Sequence, residues 1–230
     1  MSNNSKYLAI RKGVIAAAVV LSAGLASGCS ESGANGKTLP ILGEREAVER
    51  ELNGKTVVDT LYHQIPDFAF VDQDSQQVTQ QTVEGKIYVT DFFFTSCPSI
   101  CPKMKSQMLR VYEKFEDNPD LLLLSHSIDP QHDTVAVLKD YAERLGVKAE
   151  KWHFLTGEKD SIYDIAMKYL VAVQEEGDAA SGGFTHGGHF VLVDGQRRIR
   201  GVYDGTKEAS VDQLIQDIPL LLNEKRHAKK

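Results

Sequence analysis

The sequence predicts an α/β fold, a sandwich in which helices flank a central mixed sheet. Three observations lead there. Residues 87–94, rich in β-branched and aromatic side chains, and residues 121–128, an unbroken apolar run, have strand length and no polar alternation, as strands covered on both faces do. Segments between and after them carry apolar residues three and four apart, the spacing of one helical face: Ile100, Met104, Met108, Val111 and Phe115; then Val137, Leu138, Tyr141 and Leu145; then Ile162, Ile165, Ala166 and Tyr169. Finally, the alternation of strand and helix gives way to a β-hairpin and a last helix, which adds antiparallel neighbours to a parallel core.

Residues 1–28 stand outside that fold. Lys6, Arg11 and Lys12 precede the apolar run 14–21, and small residues lead to Gly28 and Cys29, the pattern of an export signal. A cysteine at that point resembles a bacterial lipoprotein signal, with Cys29 as the lipidated first residue; Ala26 stands where leucine is usual, and Leu25 one place before it. An uncleaved membrane anchor is the alternative, although the apolar run is short for a span. Both readings put the domain outside the cytoplasm. Residues 29–45 read as a flexible polar tether, 46–224 as the domain and 225–230 as a frayed basic tail.

Within the domain, 57–62 reads as an edge strand, 65–71 as a strand after Pro66, and 76–83 as a short strand running into a turn. The buried strand 87–94 leads to a helix over about 99–117, closed by Asn118-Pro119-Asp120. After 121–128, a turn over 129–134 supplies Asp133 as N-cap for a helix that stops at Gly146. A short strand at 152–156, a helix at 159–170 and a short strand at 171–174 follow. Residues 175–183 form a polar, glycine-containing loop. Strands 189–194 and 198–203 flank a turn at Gly195-Gln196, and 211–222 is the last helix.

The chain has 230 residues, 42% hydrophobic and 25% charged, which suits one domain with terminal extras, and its net charge is −6. No basic stripe interleaves with aromatics, so no nucleic acid partner is expected. No internal repeat is present.

The chemistry concentrates at residues 97–101. If Cys29 carries lipid, Cys97 and Cys101 are the remaining cysteines. Cys97 falls where strand turns into helix and Cys101 in or near the first helical turn. Pro98 suits that turn, because it lacks an N–H that would go unpaired there, and Pro102 is tolerable so early. Unpaired N–H groups and the helix dipole favour a thiolate, which is both a nucleophile and a soft metal ligand. Outside the cytoplasm a nearby pair oxidises readily. An inert disulfide is the plainer reading, but a bridge across so short a loop contributes little stability, so reactivity explains the pair better.

A cysteine pair at the first strand–helix junction is the thioredoxin arrangement. Thioredoxins keep two residues between the cysteines, whereas three lie between them here. Where thioredoxins place a cis-proline before the hairpin, residues 183–188 carry His186 and no proline. Two thiolates and an imidazole make a three-ligand site suited to Cu(I), or to Cu(II) held by mixed sulfur and nitrogen. A peroxiredoxin would need two residues between threonine and cysteine; only Ser96 separates Thr95 from Cys97.

The motifs Phe93-Phe94-Thr95-Ser96-Cys97-Pro98-Ser99-Ile100-Cys101-Pro102, Ser127-Ile128-Asp129-Pro130 with Asp133-Thr134, and Thr185-His186-Gly187-Gly188-His189 leading into Phe190-Val191-Leu192-Val193-Asp194-Gly195 together resemble the Sco/SenC family, over roughly residues 57–222. That resemblance implies a thioredoxin-like sandwich and copper ligation by Cys97, Cys101 and one histidine. The family's histidine precedes the apolar strand by three residues, which selects His186 over His189. It further implies a copper chaperone for assembly of the copper centre of cytochrome c oxidase. Its partners would be a copper-accepting subunit of a terminal oxidase and a thiol reductant, and it would be anchored through Cys29 at the periplasmic face of a bacterial membrane. The alternative function is a periplasmic thiol–disulfide oxidoreductase, with Cys97 attacking and Cys101 resolving as a redox pair. Asp129 and Asp133 are candidates to support His186 or a partner contact from behind. His126 is expected to be hydrogen-bonded in the core, and His63, His132, His153 and His227 are read as non-ligands.

Overall fold

The computed structural model describes residues 38–175 and 184–228. The expected export signal, Cys29, the first part of the tether, loop residues 176–183 and the last two residues lie outside the described residues. In chain order the elements are β1 (Arg45–Leu52), β2 (Lys55–Tyr62), β3 (Ala69–Val71), β4 (Gln77–Thr79), β5 (Ile87–Phe93), α1 (Cys101–Phe115), β6 (Leu121–Ser127), α2 (Val135–Leu145), β7 (Trp152–Leu155), α3 (Lys159–Lys168), β8 (Val173–Glu175), β9 (Phe184–His186), β10 (His189–Val193), β11 (Ile199–Asp204) and α4 (Glu208–Ala228).

Five strands make the central sheet in the order β11-β10-β5-β6-β7. β5, β6 and β7 are parallel, and β10 runs antiparallel to both of its neighbours. Every residue of β5, β6 and β7 is buried, which is why those stretches are mostly apolar, although Thr90, Asp91, Ser125, His126, Ser127 and His153 are buried among them. The sheet is therefore the expected mixed one.

Register positions the site. β5 and β6 pair with Phe93 opposite Ser127, and the Ile128 N–H then donates to the Phe93 carbonyl at 2.9 Å. The chain thus leaves both strands at the same end, so the Thr95–Cys97 loop and the 129–134 turn emerge side by side. The carboxyl ends of parallel strands are where α/β proteins gather functional groups.

Several elements differ from the sequence expectation. The edge strand is one arm of a hairpin, β1 with β2, joined by Asn53 and Gly54 at φ of 54° and 72°. Two such positive φ values give the tight turn whose twist matches paired strands. Residues 39–42, assigned to the tether, dock on the domain. Leu39 is buried, the Leu42 N–H donates to the Ile199 carbonyl at 2.8 Å, and the Arg200 guanidinium binds the carbonyls of Leu39 and Pro40. β9 adds a strand where none was expected, paired with β8.

Helix ends also move. α1 begins at Cys101 with Pro102 in its first turn, so Pro98 precedes the helix instead of opening it. The N-cap of α2 is Thr134, whose hydroxyl accepts from the Val137 N–H, and not Asp133; Gly146 closes the helix in the left-handed conformation as expected. α4 extends beyond 211–222 at both ends and tolerates Pro219. Residues 225–228 are its last turn, not a frayed tail. Lys225 pairs with Asp120, and basic residues there suit the helix C-terminus.

Candidate metal centre

Cys97 lies in the loop between β5 and α1, its N–H donating to the Phe94 carbonyl at 3.3 Å; Cys101 opens the helix. Neither is in a disulfide and both are buried, 8% and 4% exposed. Their side chains are hydrogen-bonded to each other, and the Phe94 backbone gives Cys101 a second hydrogen bond. Ser99 Oγ lies 3.6 Å from Cys97 Sγ.

The helix terminus does not by itself make Cys101 a thiolate. The bond to Cys97 and burial push its thiol well above the ordinary range, and the Phe94 contact offsets this only in part. Two thiols hydrogen-bonded to each other in a dry setting keep their protons, because a second negative charge beside the first is unfavourable. A soft cation supplies what the proton supplies and more, so metal binding releases protons from such a pair.

The loop that carries Cys97 is braced from below by Asp133. Its carboxylate is fully buried. It accepts the Thr95 N–H at 3.0 Å, the Thr95 hydroxyl, and the Ser127 hydroxyl at 2.5 Å. His132 Nδ1 stands 3.0 Å from its other oxygen, and that contact raises the affinity of the exposed imidazole for a proton. Asp133 is thus a clamp joining the 129–134 turn to the cysteine loop, a role that helical spacing could not show. Asp129 stays within its own turn, its carbonyl accepting from Asp133 N–H and its carboxylate facing the His132 N–H.

For His186 the backbone alone is described. It sits opposite Val173 at the end of β9, and the next residue, Gly187, donates to the Ala172 carbonyl at 3.0 Å. One residue further, the chain touches α1. A Cβ placed on Gly188 would lie 3.3 Å from Ile100 Cδ1 and 3.6 Å from Met104 Sδ. Ile100 and Met104 flank Cys101, so the segment that carries His186 passes against the helix turn that carries the dithiol. His189 is exposed and pairs with Asp204 across β10 and β11. Among the described residues no three His, Cys, Asp or Glu side chains gather as a metal centre.

The other histidines keep to structural settings. His126 is fully buried, its Nδ1 3.1 Å from Thr90 Oγ1 and its ring stacked on Phe92, while Nε2 has no partner among the described residues. The core expectation therefore holds for one nitrogen and fails for the other. His153 faces Asp72 at 2.9 Å, and His63 Nε2 meets the Lys168 carbonyl at 2.7 Å. Lys105, one turn after Cys101 on the buried face of α1, was not singled out in the sequence, although a lysine on an apolar helix face is itself a signal.

A mixed sheet with a dithiol at its first strand–helix junction defines a thioredoxin-like protein. The family model for SCO1/SenC matches residues 59–223, and the chain belongs to that family. Among solved structures, a SCO1/SenC family lipoprotein from Bacillus anthracis is similar at 26% identity and a TM-score of 0.63, covering 69% of this chain and 95% of that one. BsSco, described as a member of the Sco family of cytochrome c oxidase assembly proteins, is 27% identical with a TM-score of 0.61, over 69% and 93% of the two chains. Arabidopsis thaliana ScoI with copper bound shares the fold at 24% identity and a TM-score of 0.56, over 67% and 97%.

Proposed function

We propose that this chain is an extracytoplasmic copper-binding protein that hands copper to a terminal oxidase during assembly of its copper centre, with Cys97, Cys101 and His186 as ligands. One observation carries the reading: two buried cysteines outside any disulfide and hydrogen-bonded to each other where β5 passes into α1, with the chain just beyond His186 lying against Ile100 and Met104. The donor set of two sulfurs and one imidazole suits copper, and the naming of BsSco as an oxidase assembly protein supports the destination.

Copper is the cargo. Its arrival displaces the protons of both thiols, and Asp133 holds the Cys97 loop in place while it binds. Departure runs by ligand exchange: thiolates of the copper-accepting subunit replace the ligands one at a time, so the cation is never left bare. Lipid on Cys29 would keep the domain at the periplasmic face of the membrane within reach of that subunit, and among the described residues no helix is long and apolar enough to cross a membrane.

A second reading rests on the same contact. Thiols hydrogen-bonded to each other can close a disulfide, so the pair suits thiol–disulfide exchange. Cys97, the more exposed of the two, attacks a partner disulfide and releases one partner thiol. Cys101 then attacks the mixed disulfide at Cys97 and releases the second. The partner gains two electrons and the chain ends as the Cys97–Cys101 disulfide.

Titration of the reduced protein with Cu(I) separates the two. One equivalent is expected to bind, and His186→Ala is expected to weaken binding by at least the roughly 10–100-fold that loss of a ligand's supporting partner costs. No tight binding, together with exchange rates indifferent to His186→Ala, would establish the oxidoreductase instead.

A further inference from the structure

Lys105 is a charged side chain in an aromatic box. It is 8% exposed, and its Nζ stands 3.6 Å from the ring centroid of Tyr141, 4.5 Å from Phe93, 5.0 Å from Phe154 and 5.9 Å from Trp152. The Tyr141 hydroxyl takes a hydrogen bond from it. No carboxylate forms an ion pair with it among the described residues. Aromatic faces attract a cation but do not replace the hydration of an ammonium, so such burial is costly unless something nearby requires the charge.

What lies nearby is the dithiol. Lys105 follows Cys101 by four residues, hence one turn along the same buried face of α1. The groups whose charge it feels are Asp91 on β5, Cys101 on its own helix and Asp133 in the turn before α2, with the Tyr141 phenol of α2 against it. Burial brings its ammonium down to about 7, while all three of those groups act to keep it protonated.

We propose that Lys105 is a positioning residue for the dithiol site, its caged ammonium balancing the negative charge of the Cys97–Cys101 pair when both thiols have given up their protons to a soft cation. The inference rests on the copper reading for its cargo but not for its physics. Two thiolates, one neutral imidazole and Cu(I) carry a net charge of minus one. In a site already holding the buried carboxylates of Asp91 and Asp133, that excess needs a counter-charge behind the sulfurs. Lys105 provides it without becoming a ligand, since its Nζ is held by Tyr141 and the rings.

The test uses Lys105→Met, which fits an aromatic box and removes the charge, and Lys105→Arg, which keeps the charge. Two quantities are read in the reduced protein: Cu(I) affinity by competition with a chromogenic chelator, and the rate of iodoacetamide alkylation of the cysteines at pH 7. Lys105→Met is expected to lower both by about tenfold while its melting temperature stays level or rises, because an unpaired buried cation has been replaced by an apolar side chain. Lys105→Arg is expected to recover most of both. Unchanged affinity and alkylation in Lys105→Met would overturn the proposal, as would equal losses in the Met and Arg variants. If wild type takes up no copper, the copper reading fails by itself, and the alkylation rates still decide the role of Lys105. Should Lys105→Met not fold, NMR of wild type labelled at lysine Cε decides: protonation of Lys105 should rise on Cu(I) loading, and no change would overturn the proposal.

Discussion

At the scale of single residues, the site depends on polar groups placed where an apolar core is otherwise continuous. Asp133 is the clearest. Its carboxylate satisfies donors from Thr95, Ser127 and His132, and so fixes the loop of Cys97 relative to the end of β6. Capping chemistry made Asp133 look like the start of a helix, and Thr134 takes that part instead. Aspartate and threonine are both good caps, so sequence alone does not separate them; only the third dimension shows which one turns inward. His126 couples stability to pH. Burial brings its imidazole down from 6.5 to about 3. The unfolded chain therefore takes up a proton near pH 6.5 that the folded chain refuses until about pH 3. Stability from this group is whole above that window and falls with pH by about 1.4 kcal/mol per unit within it. Chemical denaturation of wild type and of His126→Phe between pH 7 and pH 5, roughly the upper part of that window, should show the wild type losing stability faster. Parallel curves would mean that the imidazole is hydrated in the folded state.

Among the elements, the junction from β5 to α1 was legible because its signals agree: a β-rich apolar run, then two cysteines four apart, then an amphipathic stretch. The hairpin of β1 and β2 was legible only in part. Asn53-Gly54 is a strong turn signal, but nearly every residue of both strands is exposed, so no apolar alternation marks them as strands. β9 escaped notice because three residues are too few for a period. Yet this short strand delivers the chain from His186 to α1. Gly188 makes the approach possible, since a Cβ there would already stand 3.1 Å from Thr206 Cγ2 and 3.3 Å from Ile100 Cδ1. Gly188→Val adds two further methyl groups, which forces the segment away from the helix at a cost of about 1–3 kcal/mol. Cu(I) affinity in that variant is expected to fall by about tenfold, or about 1.4 kcal/mol. Unchanged affinity would show that close packing of this segment on α1 is irrelevant to binding.

Taken as a whole, the molecule uses the parallel register of β5 and β6 to set two loops side by side, and the antiparallel return through β10 to bring a third segment to the same end of the sheet. The order of elements and the apolar runs made that architecture readable from sequence. The docking of residues 39–42 through Arg200 was not readable, because it depends on backbone carbonyls that any residues could present. The central claim is a three-coordinate site of two sulfurs and one nitrogen. X-ray absorption at the copper edge of the reduced, Cu(I)-loaded protein measures it most directly. Two sulfur scatterers and one imidazole nitrogen are expected, with the nitrogen lost in His186→Ala. A purely sulfur or purely nitrogen and oxygen shell, or a nitrogen that persists in that variant, would contradict it.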